Sequence, residues 1–331
     1  MNLVSFKNLI VRCSCPAIKL LYDFSHAFII LMYHRFMSDL DDGYVLKQND
    51  FKKQINFIQR HYTIVSLEHY LALPKNERLK IRNPLALTVD DGYRNFYLHA
   101  YPVLKEYSLP ATMYLPYNFI EQGNWMWQDK NKYILRNARF KEFEFKWENK
   151  VYKYQVNTFK ELINNMVRTY ELCMRVTLKE RDIFSQSFAE AAGIHLPERP
   201  IEEFAPLTWD EIREMELNGI TFGSHTMNHE ILIHTDSKNY IAEISNSKVE
   251  LENRLGHEIT GFCYPNGDYN IEIVNAVQNS GYSYAVTTRG GLNYLNDSFM
   301  LIRRESAPAQ SSNIDMLKSF IFWPFLHHLS S

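Results

Sequence analysis

The chain has 331 residues, 46% of them apolar, enough to bury a large core as one α/β domain or two smaller ones. With 36 basic against 38 acidic residues it shows no electrostatic footprint for nucleic acid. Its four cysteines, at positions 13, 15, 173 and 263, are too few and too irregular for a disulfide framework, which points to a reducing compartment.

The first 26 residues carry Lys7, Arg12 and Lys19 and are interrupted by Pro16, so they form no clean secretory core. The early apolar run "AFIILMY" is far short of the ~20 residues needed to span a bilayer. This basic, partly amphipathic start (1–27) and the aromatic end "MLKSFIFWPFLHHL" within 307–331 suit a membrane surface or packing on the domain. The expected location is therefore cytoplasmic, with room for peripheral contact at the inner membrane face.

"FIILMYHRF" (28–36) reads as a first buried strand, and Phe51, Ile55 and Ile58 mark one face of a following helix. "LALTV" is a second strand, "YRNFYLHAYPVLKEY" a helix, and "ATMYLP" a third strand. This alternation predicts a mostly parallel sheet. Residues 117–206 break the rhythm: "FEFKWENKVYKYQV" reads as a hairpin and is followed by two helical stretches, an insertion placed as a lid or wall. The alternation then resumes. "TWDE" forms a capping box with Thr208 as N-cap and Glu211 at the third helical position. "ITFGS" is a strand, and a helix over 237–255 should turn Ile241, Ile244, Leu251 and Leu255 inward and stop at Gly256. "ITGFCYP" and "YSYAVTT" are further strands separated by the helix "IEIVNAVQNS". About seven parallel strands suggest a barrel, with chemistry at the C-terminal strand ends.

Three polar features fall at such ends. Asp90-Asp91-Gly92 sets two carboxylates side by side, where like charges raise each other's pKa unless a cation intervenes. "GSHTMNH" places His225 and His229 four apart, about one helical turn, so that both imidazoles can face one point. Two histidines and one carboxylate are a common way to hold a catalytic divalent metal. In "FCYPNGDY", Pro265 and Gly267 shape a loop at a strand end.

"LTVDDGYRNFYLHAYPVLKEYSLPATMYL", "FGSHTMNH" and "GFCYPNGDYN" resemble the three motif regions of the polysaccharide deacetylases, the NodB-homology carbohydrate esterases. "LMYHRF", "TWDEIREMELNGITFGSH", "SGYSYAVTTRGGLN" and "LIRRES" resemble the same family, so that the likeness covers roughly residues 28–306. The resemblance implies a distorted (β/α) barrel of about seven parallel strands with an insertion after the third, acting to remove an acetyl group from an N-acetylhexosamine of a glycan or glycolipid precursor. By position, Asp91, His225 and His229 bind a divalent metal, zinc foremost, with cobalt, manganese or nickel also suitable. Asp90 is the general base, and the loop carrying Tyr264 and Asn266 contacts substrate and oxyanion.

Where the family's third motif often begins with an arginine that orients the catalytic aspartate, this chain has Cys263. Arg304 is the expected replacement, with Arg303 beside it as the alternative and solvation or pairing to Glu305 as the competing fate of either. The general acid is open: "LIH" (232–234) and "LHH" (326–328) match a late histidine motif only as strings, and His34 and His99 are the other candidates. In "WMWQD", Trp127 or Trp125 could stack on a sugar and Asp129 could accept from hydroxyls, or the tryptophans could pin the insertion to the barrel. An amidase on another small amide, and a non-catalytic carbohydrate-binding protein of the same fold, are the competing functions. The oligomeric state is not written in the sequence.

Overall fold

The computed structural model of the chain describes residues 26–36 and 45–330. The basic N-terminal segment with Cys13 and Cys15 lies outside them. Ile29–Tyr33 (β1) and Pro84–Val89 (β2) are buried at every position, as expected for a parallel sheet covered on both faces. Ala111–Leu115 (β3), Ile220–Ser224 (β4), Gly261–Cys263 (β5), Tyr284–Val286 (β6) and Glu305–Ser306 (β7) complete the set. Their spatial order is β6-β5-β4-β3-β2-β1-β7, and every pair is parallel. The short strand Thr63–Ile64 pairs with the start of β2.

The chain just before β7 returns to β6, where Ile302 bridges Val286 and donates its N–H to Ala285 at 3.0 Å. The sheet's two ends meet through that bridge and not a full ladder, which makes the barrel a distorted one. Its strands alternate. Leu85, Leu87 and Val89 face the surrounding helices, while Ala86 faces the barrel interior with Phe28, Ile30, Tyr114, Cys263 and Val286. Continued by the period of two, this alternation sends Thr88 and then Asp90 inward.

The helices follow the apolar spacing. Gln48–His61 buries Phe51, Ile55 and Ile58. Thr208 and Glu211 form the expected capping box on Trp209–Leu217, and Gly256, at φ 81°, ends Ser237–Leu255. Ile244 and Leu251 face inward from that helix, but Ile241 is 47% exposed. The buried stripe of this helix is narrow, running through Ile244, Ser247 and Leu251, and Ile241 lies beyond its edge.

The insertion holds two helices, Tyr117–Gln122 and Trp127–Asn137, before the antiparallel hairpin Glu142–Trp147 and Lys150–Gln155. The helices Phe159–Cys173 and Leu178–Ala191 follow. It has its own apolar cluster, including Ile134, Phe145, Tyr154, Phe184 and Phe188, joined by Ile231 from the barrel side. At the C-terminus, Met316, Phe320 and Ile321 are buried in the main core, and Tyr62 donates its hydroxyl to the Phe320 carbonyl at 2.6 Å. Among the described residues no helix is long and apolar enough to cross a membrane, and Cys173 and Cys263 are free thiols.

The helix capped by Thr208 leads directly into β4, so its cap can be weighed separately from the core. Thr208→Ala is expected to lower the unfolding free energy by about 1 kcal/mol, read as a lower urea midpoint at unchanged slope.

Candidate active site

Asp90, sent into the barrel by the pleat of β2, meets Arg304 arriving from the chain before β7. The guanidinium grips the carboxylate at both oxygens, Nη1 to Oδ1 and Nη2 to Oδ2, each at 2.7 Å. Its remaining N–H groups donate to the Thr287 carbonyl (2.9 Å), the Thr88 hydroxyl (3.1 Å) and the Cys263 sulfur (3.1 Å). All five donors of the fork are thus used, and both partners are buried. Burial pushes the Asp90 carboxyl up, but the charge and hydrogen bonds of Arg304 outweigh it and hold the carboxyl below its usual range. Arg303, the alternative, instead donates to Asp297 at 3.2 Å.

Asp91 turns the other way. It lies at φ 77° and Gly92 at 72°, so two successive left-handed residues fold the chain sharply after β2. A side chain at Gly92 would also press on Leu115 and Ile120. Asp91 Oδ1 lies 3.3 Å from His229 Nε2 and 3.6 Å from His225 Nε2. The two histidines are not on a helix. They converge through a turn in which Thr226 (φ 68°) and His229 (φ 56°) are left-handed, a conformation disfavoured for Thr. Non-glycine strain of this kind costs energy and collects at functional sites. Asn266, at φ 60°, carries the same feature in the third loop.

The donor set fits a cation. One ligand atom each from Asp91, His225 and His229 lies within 4.8 Å of the others, and Asp91 Oδ1 is a buried oxygen with no hydrogen-bond partner. His225 Nδ1 lies 2.8 Å from the Cys263 carbonyl. Donation there fixes the tautomer and turns the Nε2 lone pair toward Asp91. Burial, followed by the charge of His229, lowers the His225 pKa to about 4, so the ring is neutral and able to ligate. Asp90, His225 and Cys263 form a second close trio, but there Arg304 already supplies the positive charge.

Asp91 opens onto a pocket of about 460 Å³ that is also lined by His34, Tyr93, Asp129, Lys132, Ile163 and Tyr170. His34 stands at its mouth, 44% exposed, with Nε2 3.7 Å from Asp90 Oδ2. Tyr93 donates to Asp129 at 2.5 Å, and burial raises the Asp129 pKa. Tyr170, from the insertion, donates to Asn266 Oδ1 at 3.2 Å and so ties the insertion to the third-motif loop. A second tie is buried: Arg181 pairs with Glu230 at 2.8 Å, the residue after His229.

Several sequence candidates fall elsewhere. Trp127, expected against a sugar, is buried in the insertion's core. It stacks behind Tyr170 with ring centroids 5.1 Å apart, because the flat indole is enclosed between that ring and the Arg181 guanidinium at 4.7 Å. Trp125 donates to the Pro197 carbonyl and pins the insertion. Tyr264 is fully buried and does not reach the pocket, since its N–H donates to Val286 and its hydroxyl to Met300. His99 sits on the helical turn Phe96–Ala100, His234 lines a different cleft, and His327 pairs with Glu305 at 2.9 Å. Neither Tyr170 nor the Arg181–Glu230 pair belongs to a motif with recognisable spacing, so nothing in the sequence marks them as part of the site.

A parallel barrel with carboxylates and imidazoles gathered at its C-terminal strand ends is the layout of a barrel enzyme. Residues 80–285 match the family model described as polysaccharide deacetylase, and the chain belongs to that family. A segment of 85 residues, 26% of this chain, is 34% identical to YxkH of Bacillus subtilis (strain 168), named for the same family, and spans 30% of that protein. Among solved structures, the Streptococcus pyogenes deacetylase PplD, in complex with acetate, superposes with a TM-score of 0.59 at 21% identity, over 88% of this chain and 97% of that one. IcaB from Ammonifex degensii superposes with a TM-score of 0.56 at 16% identity, over 90% and 97%. At these identities the likeness to the two structures is one of fold.

Replacing Arg304 by Gln leaves a buried carboxylate unpaired, which should cost about 3–5 kcal/mol at neutral pH. In the parent, the lowered Asp90 pKa makes a contribution that is present above the unfolded carboxyl's pKa of about 4 and is lost as pH falls through the folded value. In Arg304→Gln the largest opposing contributions to burial are gone and only the weaker ones of His34 and His225 remain, so the folded pKa rises and protonation relieves the penalty. Chemical denaturation at pH 7 and at pH 4 should therefore show the deficit relative to the parent shrinking at the lower pH.

Proposed function

We propose that the protein is a metal-dependent deacetylase that hydrolyses the acetamide of an N-acetylhexosamine unit. The observation that carries this reading is the division of labour between adjacent carboxylates: Asp90 is clamped by an arginine, and Asp91 faces two imidazoles with an unpartnered oxygen. Asp91, His225 and His229 would hold the ion, with zinc best suited to this donor set and cobalt, manganese or nickel able to replace it. A divalent metal there supplies Lewis-acid polarisation of the amide carbonyl and acidification of a water.

Asp90 is the base. Ionised against Arg304 and fixed by both oxygens, it accepts the proton of the attacking water. The backbone N–H at Asn266 is the proposed donor to the developing oxyanion. His34 is the proposed general acid. It borders Asp90 at the pocket mouth, and His234 and His327, from the two late motif-like strings, lie elsewhere. Proton transfer from it to the departing nitrogen releases the free amine and acetate. Arg304 fills the role that Cys263 leaves open, which removes the main argument for an inactive binding protein.

Protein loaded with zinc or cobalt should hold the ion stoichiometrically by atomic absorption. Asp90→Asn should keep it while acetate release falls by roughly 10²–10⁴-fold, and His225→Ala should lose both. A fully active Asp90→Asn would sink the base assignment. His34→Gln is expected to lower kcat by a similar factor, with metal content unchanged.

A further inference from the structure

The helix Phe159–Cys173 packs Leu162, Met166 and Tyr170 against the insertion's core but buries polar side chains as well. Its buried positions include Asn165 and Thr169, whose polar groups are satisfied internally: Asn165 donates to the Gln155 carbonyl and Thr169 to the Asn165 carbonyl. Its pocket-facing positions are apolar. Ile163, Met166, Val167 and Tyr170 line the pocket beside Asp91, at the i, i+3, i+4, i+7 spacing of a single helical face. Phe159 extends the row one turn further out. Phe159 is 60% and Val167 49% exposed, and neither they nor Ile163 join any of the core clusters. Scattered exposed apolar residues need no explanation, but a contiguous exposed apolar stripe marks a binding surface. This stripe is continuous with the candidate catalytic pocket. From Tyr170 to Phe159 it runs about 16 Å, at 1.5 Å per residue.

Resting on the deacetylase reading, we propose that the substrate is amphiphilic: an N-acetylhexosamine whose sugar sits beside Asp91 and whose attached hydrocarbon chain lies along the Phe159–Tyr170 stripe. A lipid-linked sugar has this chemistry. A soluble polymer presents hydroxyls along its whole length and leaves Ile163, Val167 and Phe159 against water. The inner end of the stripe is also anchored. Tyr170 is backed by the stacked Trp127 ring and anchored to Asn266, so the apolar track begins at a fixed point beside the reacting group.

The test is a homologous series of alkyl N-acetylglucosaminides, methyl to dodecyl, held below their micelle concentrations. Binding to the zinc-loaded, full-length Asp90→Asn protein is measured by calorimetry, and acetate release by the parent is measured separately. Each methylene buried on the stripe should tighten binding by up to about fourfold, so dodecyl should exceed methyl by well over tenfold. In Val167→Asp the gain with chain length should collapse. Equal affinity across the series would overturn the proposal, as would a chain-length gain that survives in Val167→Asp. So would concentration-dependent dimerisation that covers the stripe without any chain-length effect. The two readings fail separately: acetate release without chain-length dependence leaves the deacetylase and removes the amphiphile, and chain-length-dependent binding with no acetate release from any member does the reverse.

Discussion

The site is organised around one buried interaction, the two-pronged grip of Arg304 on Asp90. Two adjacent carboxylates at a strand tip repel and cannot both stay ionised in a dry interior without compensation. The barrel solves this by geometry. The strand pleat sends Asp90 inward to a fixed guanidinium, and the left-handed turn at Asp91 and Gly92 rotates the second carboxylate toward two imidazoles. Each acid acquires its own positive or potentially positive environment, a guanidinium for Asp90 and two imidazoles for Asp91. A buried ion pair of this kind is weak evidence for stability. Its strength here is positional, because a guanidinium with five occupied donors has no alternative place to go.

Cys263 and Arg304 make sense only together. Cys263 lies on the interior face of β5, 3.6 Å from Asp90 and 3.1 Å from the Arg304 fork. A long basic side chain at position 263 would enter the same space with the same charge. The small thiol leaves room for a guanidinium that crosses from the far end of the sheet, and it accepts one of its N–H bonds. The bridge that joins β6 to the chain before β7 therefore has a chemical consequence: it closes the barrel and delivers the arginine. Burial drives the thiol pKa well up, so Cys263 stays neutral beside Asp90.

Much of this was legible in the sequence. Strand alternation, the Thr208 capping box, the Gly256 stop and the three polar strand ends all follow from local patterns, and such patterns survive folding when a helix or strand has one dominant buried face. Arg304 was legible as a replacement because a vacancy at Cys263 demanded one. What escaped depends on long-range packing. The histidine pair reads as one helical turn, but two left-handed residues achieve the same convergence, and four-residue spacing cannot distinguish them. Ile241 looks inward on a helical wheel, yet the width of the buried stripe is set by the neighbouring elements. Trp127 looks like a sugar platform because it follows a strand end, and its enclosure between Tyr170 and Arg181 involves residues more than forty positions away.

The insertion turns these separate facts into one design. It has its own apolar core, so it can shape the pocket without disturbing the barrel interior that sets the charges. It is nonetheless fastened to the chemistry at two points: Tyr170 to Asn266 in the third loop, and the buried Arg181 to Glu230 beside His229. Arg181 also covers the Trp127 ring and donates to the Cys173 carbonyl, so the residue that holds the histidine loop is held by the helices of the insertion. A wall independent of the barrel but clamped to the loops that carry His229 and Asn266 can vary its pocket-facing side chains while the polar centre stays fixed. That separation is what allows the polar Asp/His site to sit at the foot of an apolar helix face.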